Sequence, residues 1–197
     1  MFAGAIAAKG GILRGCFGFI DGTARPISRP KHYQRQCFSG HKRHHCSKWQ
    51  AVLLPNGMIG SLYGGHRGSM HDSTLLTSSK VLDALQQKFT TFVGPDGFCI
   101  SGDSGYGRAE LVKKPFSKVE VLNDRRKKAL NKAMSRVREP VEWGFKEMRM
   151  YVNPINKLYR VAVILISCHH CLHHNQASQY FDLEPPSLEE YLVTFAE

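Results

Sequence analysis

Two aspartates follow directly on apolar runs of strand length. Asp21 comes after Gly15 to Ile20, and Asp103 comes one glycine after Phe98 to Ser101. A carboxylate where a buried strand ends is where open α/β sheets place ligand-binding groups. Glu142, in a later helical stretch, supplies a third carboxylate able to converge on the first two. Carboxylates brought together repel one another unless a cation stands between them, and an all-oxygen donor set suits the hard ions Mg²⁺ and Mn²⁺. Two such ions about 4 Å apart clamp the attacking and leaving oxygens of a phosphodiester. Asp-Gly and Gly-Asp are also common turn formers, so each aspartate taken singly reads first as a turn residue.

The elements that must position these groups are legible as alternating apolar runs and breakers. Gly15 to Ile20 predicts a buried strand closed by the turn dipeptide Asp21-Gly22. Trp49 to Leu54 predicts a second strand, Pro55-Asn56-Gly57 a hairpin turn, and Met58 to Tyr63 a third strand antiparallel to the second. Asp72-Ser73 offers a cap for one helix whose apolar face carries Leu75, Leu76, Val81, Leu82 and Leu85. Phe98 to Ser101 predicts a central strand. A basic helix is expected over Asp124 to Arg138, and Pro140 starts a new helix that runs from near Glu139 to about Tyr151. On that helix Glu142, Phe145 and Arg149 share a face. A last apolar helix is expected over Leu158 to Asn175. Residues 1–182 then form one domain and 183–197 a solvated, acidic, proline-containing tail.

The 197 residues, 42% of them hydrophobic, suffice for one globular domain with a core. No run of about 18 apolar residues occurs, so a membrane span is not expected. Met1 to Leu13 lacks the basic start of a signal peptide, which points to the cytosol or nucleus. Six cysteines scattered through a chain of this size read as reduced thiols. The formal charge of +11 predicts attraction to a polyanion, nucleic acid first among these.

At the level of motifs, Gly18-Phe19-Ile20-Asp21-Gly22-Thr23, Ser39-Gly40-His41-Lys42-Arg43 within Tyr33 to His45, Gly68-Ser69-Met70-His71-Asp72-Ser73, Gly102-Asp103-Ser104-Gly105-Tyr106 and Val141-Glu142-Trp143-Gly144-Phe145 occur in that order. Together they resemble the DDE transposases of the PIF/Harbinger group over nearly the whole chain. Met134-Ser135-Arg136-Val137-Arg138 and Leu172-His173-His174-Asn175 are similar to two further signatures of that group. The resemblance implies an α/β, ribonuclease H-like fold, a mixed central sheet flanked by helices. It also implies metal ligands at Asp21, Asp72 and Glu142, with Asp103 as a fourth acidic site residue and Mg²⁺ or Mn²⁺ as cofactor. Strand topology favours Asp103 over Asp72 as the second main carboxylate, and Asp72 has a competing role as a helix cap. His71 could assist by hydrogen bonding.

Other motifs admit competing readings. Gly102-Asp103-Ser104-Gly105 looks like the nucleophile segment of trypsin-like proteases, but Tyr106 replaces a glycine expected there and the later helices do not suit a two-barrel all-β fold. Cys168-His169-His170-Cys171, with His173 and His174, offers zinc-ligand types, yet successive positions on one helix point in different directions. Core cysteines and interhelical histidines are the plainer account.

His41, Lys42, Arg43 and Lys48, in the loop leading out of the first strand, are read as DNA-phosphate contacts, as are Arg125, Arg126, Lys127, Lys128, Arg136 and Arg138 before the Glu142 helix. The Arg125 to Lys128 run also reads as a nuclear localisation signal, and a nuclear protein is expected. The chain shows no helix-turn-helix before its first strand, so a truncated transposase is expected, with target recognition lost or delegated to a Myb-like DNA-binding partner. A homo-oligomer is also open. The two functional expectations are a metal-dependent DNA endonuclease or transposase catalytic domain, and a catalytically silent, transposase-derived DNA-binding or adaptor protein.

Overall fold

A computed structural model of the chain describes 1–89, 97–107, 109, 111–151 and 156–194, with the backbone alone at 141, 142, 145–151, 156 and 157. A mixed sheet forms its centre. β1 (Cys16–Pro26) pairs antiparallel with β3 (His44–Leu53), which pairs antiparallel with β4 (Ile59–Arg67) and with the short β2 (Phe38–Ser39). On its other side β1 runs parallel to β5 (Cys99–Ser101), and β5 runs parallel to β6 (Val112–Lys113). An antiparallel hairpin on one side of β1 and parallel strands on the other is the ribonuclease H-like arrangement, and the α/β fold is as expected.

The hairpin turn at Pro55-Asn56-Gly57 is present. Gly57 supplies the left-handed backbone, at φ +80°, that a residue with a side chain would adopt only under strain. β1 and β3 are longer than their apolar runs suggest. Asp21-Gly22 does not turn: Asp21 pairs with Ala51 and Gly22 with Gln50 inside the β1–β3 ladder. Strand pairing on both sides of the dipeptide overrides its local turn preference.

Alternation along the strands feeds two apolar layers. Phe19, Trp49, Ala51 and Leu53 face a core shared with Met134 and Val137 of α6 (Arg125–Tyr151), Tyr159, Val163 and Ile166 of α7 (Asn156–Leu172), and Phe181 of α8 (Gln176–Phe181). Ile20, Val52 and Ile100 face a second core with Leu76 of α3 (Asp72–Ser79), Val81 of α4 (Val81–Lys88), Tyr106 and Val112. The single helix expected over the Leu75 to Leu85 stretch is therefore two, separated by Lys80 in a left-handed conformation at φ 53°.

Two expected helices, conversely, are one. α6 continues through Pro140, which is fully buried; tertiary burial of the helix outweighs the roughly 3 kcal/mol an internal proline costs. α7 stops at Leu172, and Asn175 then caps α8 with a reciprocal Asn175–Ser178 box. The segment expected as a solvated tail carries α9 (Leu188–Val193), which packs on α7 and is opened by a Ser187–Glu190 capping box. α1 (Phe2–Ala8), α2 (Gln34–Cys37) and α5 (Lys118–Leu122) complete the chain. All six cysteines are free thiols. Among the described residues no helix is long and apolar enough to cross a membrane.

Candidate active site

The parallel pairing of β1 and β5 aligns Phe19 with Ser101, so Asp21, inside β1, and Asp103, just past the end of β5, are each two residues beyond that pair. Asp21 lies on the Phe19 side of β1, toward α6; Gly22 turns toward α3. A Cβ built on Gly22 would stand 2.9 Å from Asp72 Oδ1, so the missing side chain is what lets the Asp72 carboxylate lie against β1. A Cβ on Gly105 would stand 3.1 Å from both Asp103 Oδ1 and Asp72 Oδ2. Asp72 and Asp103 therefore meet beside Gly105, Asp72 lies against Gly22, and Asp21 is near enough for both charges to act on its carboxyl.

Backbone donors fix two of these carboxylates: Gly22 N–H donates to Asp21 Oδ1 at 2.9 Å and Gly105 N–H to Asp103 Oδ1 at 2.8 Å. Beneath them lies Tyr106, with a hydroxyl that is buried and makes no hydrogen bond. It stands 3.6 Å from the Gly22 Cβ position. Burial pushes the Tyr106 phenol well above its ordinary pKa, and the charges of Asp72, Asp21 and Asp103 push it the same way. It is a neutral donor at any physiological pH.

Two cations enter the cluster. Lys48 Nζ on β3 donates to Asp72 Oδ1 at 2.8 Å, and Arg138 Nη2 on α6 lies 3.1 Å from Asp21 Oδ1. Burial raises the Asp21 carboxyl above the ordinary carboxylate value; Arg138 and the Gly22 N–H oppose that, while Asp103 and Asp72 add to it. The helix-cap role weighed for Asp72 does not hold. The cap of α3 is His71, without a side-chain cap bond, and Asp72 is the first helical residue, its oxygen turned to Lys48.

Glu142 lies on α6 four residues beyond Arg138, one helical turn along the same stripe. Its side chain, and the face it was expected to share with Phe145 and Arg149, lie outside the described residues.

A family model described as DDE superfamily endonuclease matches residues 20–175, which include Asp21, Asp72, Asp103 and Glu142. The chain belongs to the DDE superfamily endonucleases. No curated protein and no solved structure matches it. Divalent metals are general in this superfamily, and the residues of this DDE domain fit them in three respects. The donors are all carboxylates, the orphaned Tyr106 hydroxyl is aimed among them, and the glycines leave a cradle that a Cβ would fill. As the side chains stand, with Lys48 and Arg138 on their oxygens, no three His, Cys, Asp or Glu among the described residues are drawn together enough to hold an ion.

Sequence reasoning assigned Lys48 and Arg138 to the DNA backbone, whereas in this DDE domain both sit within the carboxylate cluster. A readable signal existed for Lys48: a single charge inside the otherwise buried run from Cys46 to Leu53 needs a partner. Tyr106, set aside as an odd residue in a protease-like motif, was missed as a site residue. His41, Lys42 and Arg43 are exposed in the tight β2–β3 turn, where Arg43 N–H donates to Ser39 O at 2.7 Å. On α6, Arg125, Lys128, Lys132 and Arg136 are exposed and spaced to share one stripe, with Arg126 exposed beside it. Lys127 folds back over the Phe116 ring at 5.4 Å and toward Asp124. The cysteine–histidine segment divides: His170 is buried within 3.2 Å of Gly57 O, while His169 and His173 are exposed with ring centroids 4.6 Å apart.

Proposed function

We propose that this DDE domain is the catalytic domain of a transposase-type DNA endonuclease of the PIF/Harbinger kind, hydrolysing or transferring phosphodiester bonds by a two-metal route. The observation that carries this reading is the meeting of Asp72 and Asp103 at the Gly22–Gly105 cradle beside the unpaired Tyr106 hydroxyl, with Asp21 close enough to feel both charges. Asp21, Asp72, Asp103 and Glu142 are the residues to hold Mg²⁺ or Mn²⁺. When bound, such ions supply activation of the attacking oxygen and charge stabilisation at the leaving oxygen.

The protein's own groups do the rest. The Gly22 and Gly105 amides keep the Asp21 and Asp103 carboxylates oriented before any substrate arrives. The glycines keep side chains out of the space above them. Arg125, Lys128, Lys132 and Arg136 on α6, with the His41 to Arg43 turn, are the groups for the DNA backbone. Target choice then falls to another segment or a Myb-like partner, acting in the nucleus.

A supercoiled-plasmid nicking assay with Mg²⁺ or Mn²⁺ tests the reading, comparing wild type with Glu142→Ala. The reading expects metal-dependent nicking that the substitution abolishes while the protein stays folded. Identical behaviour of the two proteins would assign the chain instead to a silent DNA-binding or adaptor role.

A further inference from the structure

We propose that Lys48 and Arg138 are exchangeable counter-cations of the carboxylate site. Each neutralises one aspartate in the metal-free protein, yields it to a divalent ion, and turns its own charge to the phosphate of bound DNA. The inference rests on the metal-dependent reading above.

Each cation holds a different carboxylate and comes from a different element. Lys48 of β3 takes Asp72 Oδ1 at 2.8 Å, and Arg138 of α6 takes Asp21 Oδ1 at 3.1 Å. Both pairs are largely withdrawn from water: the side chains are 18% and 25% exposed in the first pair, 18% and 23% in the second. Charges so placed act through a medium less screening than bulk water. Asp72 and Asp103 meet beside Gly105 and both act unfavourably on the Asp21 charge, and the two ion pairs oppose that repulsion. A divalent ion arriving at Asp72 or Asp21 then meets an ammonium or guanidinium already on the oxygen it needs, and like charges at that separation cannot both stay.

The two side chains are suited to leaving. Lysine carries its charge on a flexible four-carbon stem, and arginine presents five donors in a planar fork that matches a phosphate. Arg138 also has its Nε–H buried without an acceptor, so its present partner uses only part of its capacity. Displaced from the aspartates, both charges remain at the place where the reaction brings a negatively charged phosphate. The sequence assignment of Lys48 and Arg138 to DNA phosphate and their observed position on carboxylates are then two states of one device.

The test separates metal binding from cleavage. Mn²⁺ binding to the DNA-free protein is measured calorimetrically, and by its effect on melting temperature, for wild type, Lys48→Gln, Arg138→Gln and Lys48→Arg. Each neutral variant is expected to bind Mn²⁺ about tenfold more tightly and to gain more thermal stability from it, because the competing charge is gone. The same variants are expected to nick plasmid about tenfold or more slowly, and Lys48→Arg to restore wild-type Mn²⁺ affinity. Two neutral variants guard against one that fails to fold. Mn²⁺ affinity unchanged or weakened in both neutral variants, with wild type binding normally, would overturn this inference alone. Wild type that binds no Mn²⁺ would overturn both the inference and the metal-dependent reading.

Discussion

Arg138 on α6 reaches into the sheet to Asp21 in the middle of β1, Nη2 to Oδ1 at 3.1 Å. The pair ties the longest helix to the strand that carries the first site aspartate. It also sets the position of Glu142, one turn further along the same helix. The site and the core beneath it therefore share one constraint, since Met134 and Val137, the residues just before Arg138, are buried against that face of the sheet.

Asp21 costs the metal-free protein stability at neutral pH, because burial raises its carboxyl by more than Arg138 lowers it. A carboxyl whose folded pKa is raised holds its proton more tightly in the folded state. Its stabilising proton is therefore present at low pH and lost as pH rises through the folded value. Asp21→Asn, measured with a chelator present, should melt higher than wild type at pH 7. The advantage should shrink as pH falls toward the ordinary aspartate value near 4. A gain independent of pH would disprove this account of Asp21.

Tyr106→Phe should leave stability unchanged or raise it by about 1 kcal/mol, since it removes a buried hydroxyl that has no partner. Nicking should change by less than about tenfold, since the sealed hydroxyl does not reach the substrate. Thermal melts beside cleavage rates check both halves. A large loss of stability would instead mean that the hydroxyl bonds within the fold.

Gly22→Ala places a methyl 2.9 Å from Asp72 Oδ1, at the end of a side chain that can swing aside. The fold should survive with a loss of about 1 kcal/mol, while metal-dependent cleavage drops by about tenfold or more because Asp72 can no longer lie against β1. Differential melting and Mg²⁺ titration of the nicking rate separate the two effects.

Most of the sheet was readable from the sequence. The apolar runs and the Pro55-Asn56-Gly57 turn give β1, β3, β4 and β5, and Gly102-Asp103 does follow the parallel strand. Local signals failed where tertiary contacts outvote them. Asp21-Gly22 has turn chemistry but is held in the ladder by Ala51 and Gln50. Pro140 has the chemistry of a helix breaker but is buried inside a continuous helix. Asp72 looks like a cap until Lys48, 24 residues away, is brought to it. α9 was missed for another reason: Ser187-Leu188-Glu189-Glu190 spells a capping box, and the prolines and acidic composition around it masked the signal.

The exposed stripe on α6 should govern DNA affinity without base preference. Replacing Arg125, Lys128, Lys132 and Arg136 by alanine should weaken binding to unrelated duplexes alike. The slope of log affinity against log salt should fall by about 1 for each phosphate that the variant no longer neutralises. Fluorescence anisotropy over a salt series reads this directly. An unchanged slope would place the DNA path elsewhere.

Asp21, Asp72 and Asp103 are proposed to form a metal-dependent phosphodiester-cleaving site. The most direct test is the nicking rate of Asp103→Asn against wild type over a Mg²⁺ or Mn²⁺ titration, with melting temperature measured on both. The prediction is metal-dependent nicking by wild type, reduced at least about 100-fold in a variant that remains fully folded. Nicking equal in the two proteins, or unaffected by the metal, would contradict it.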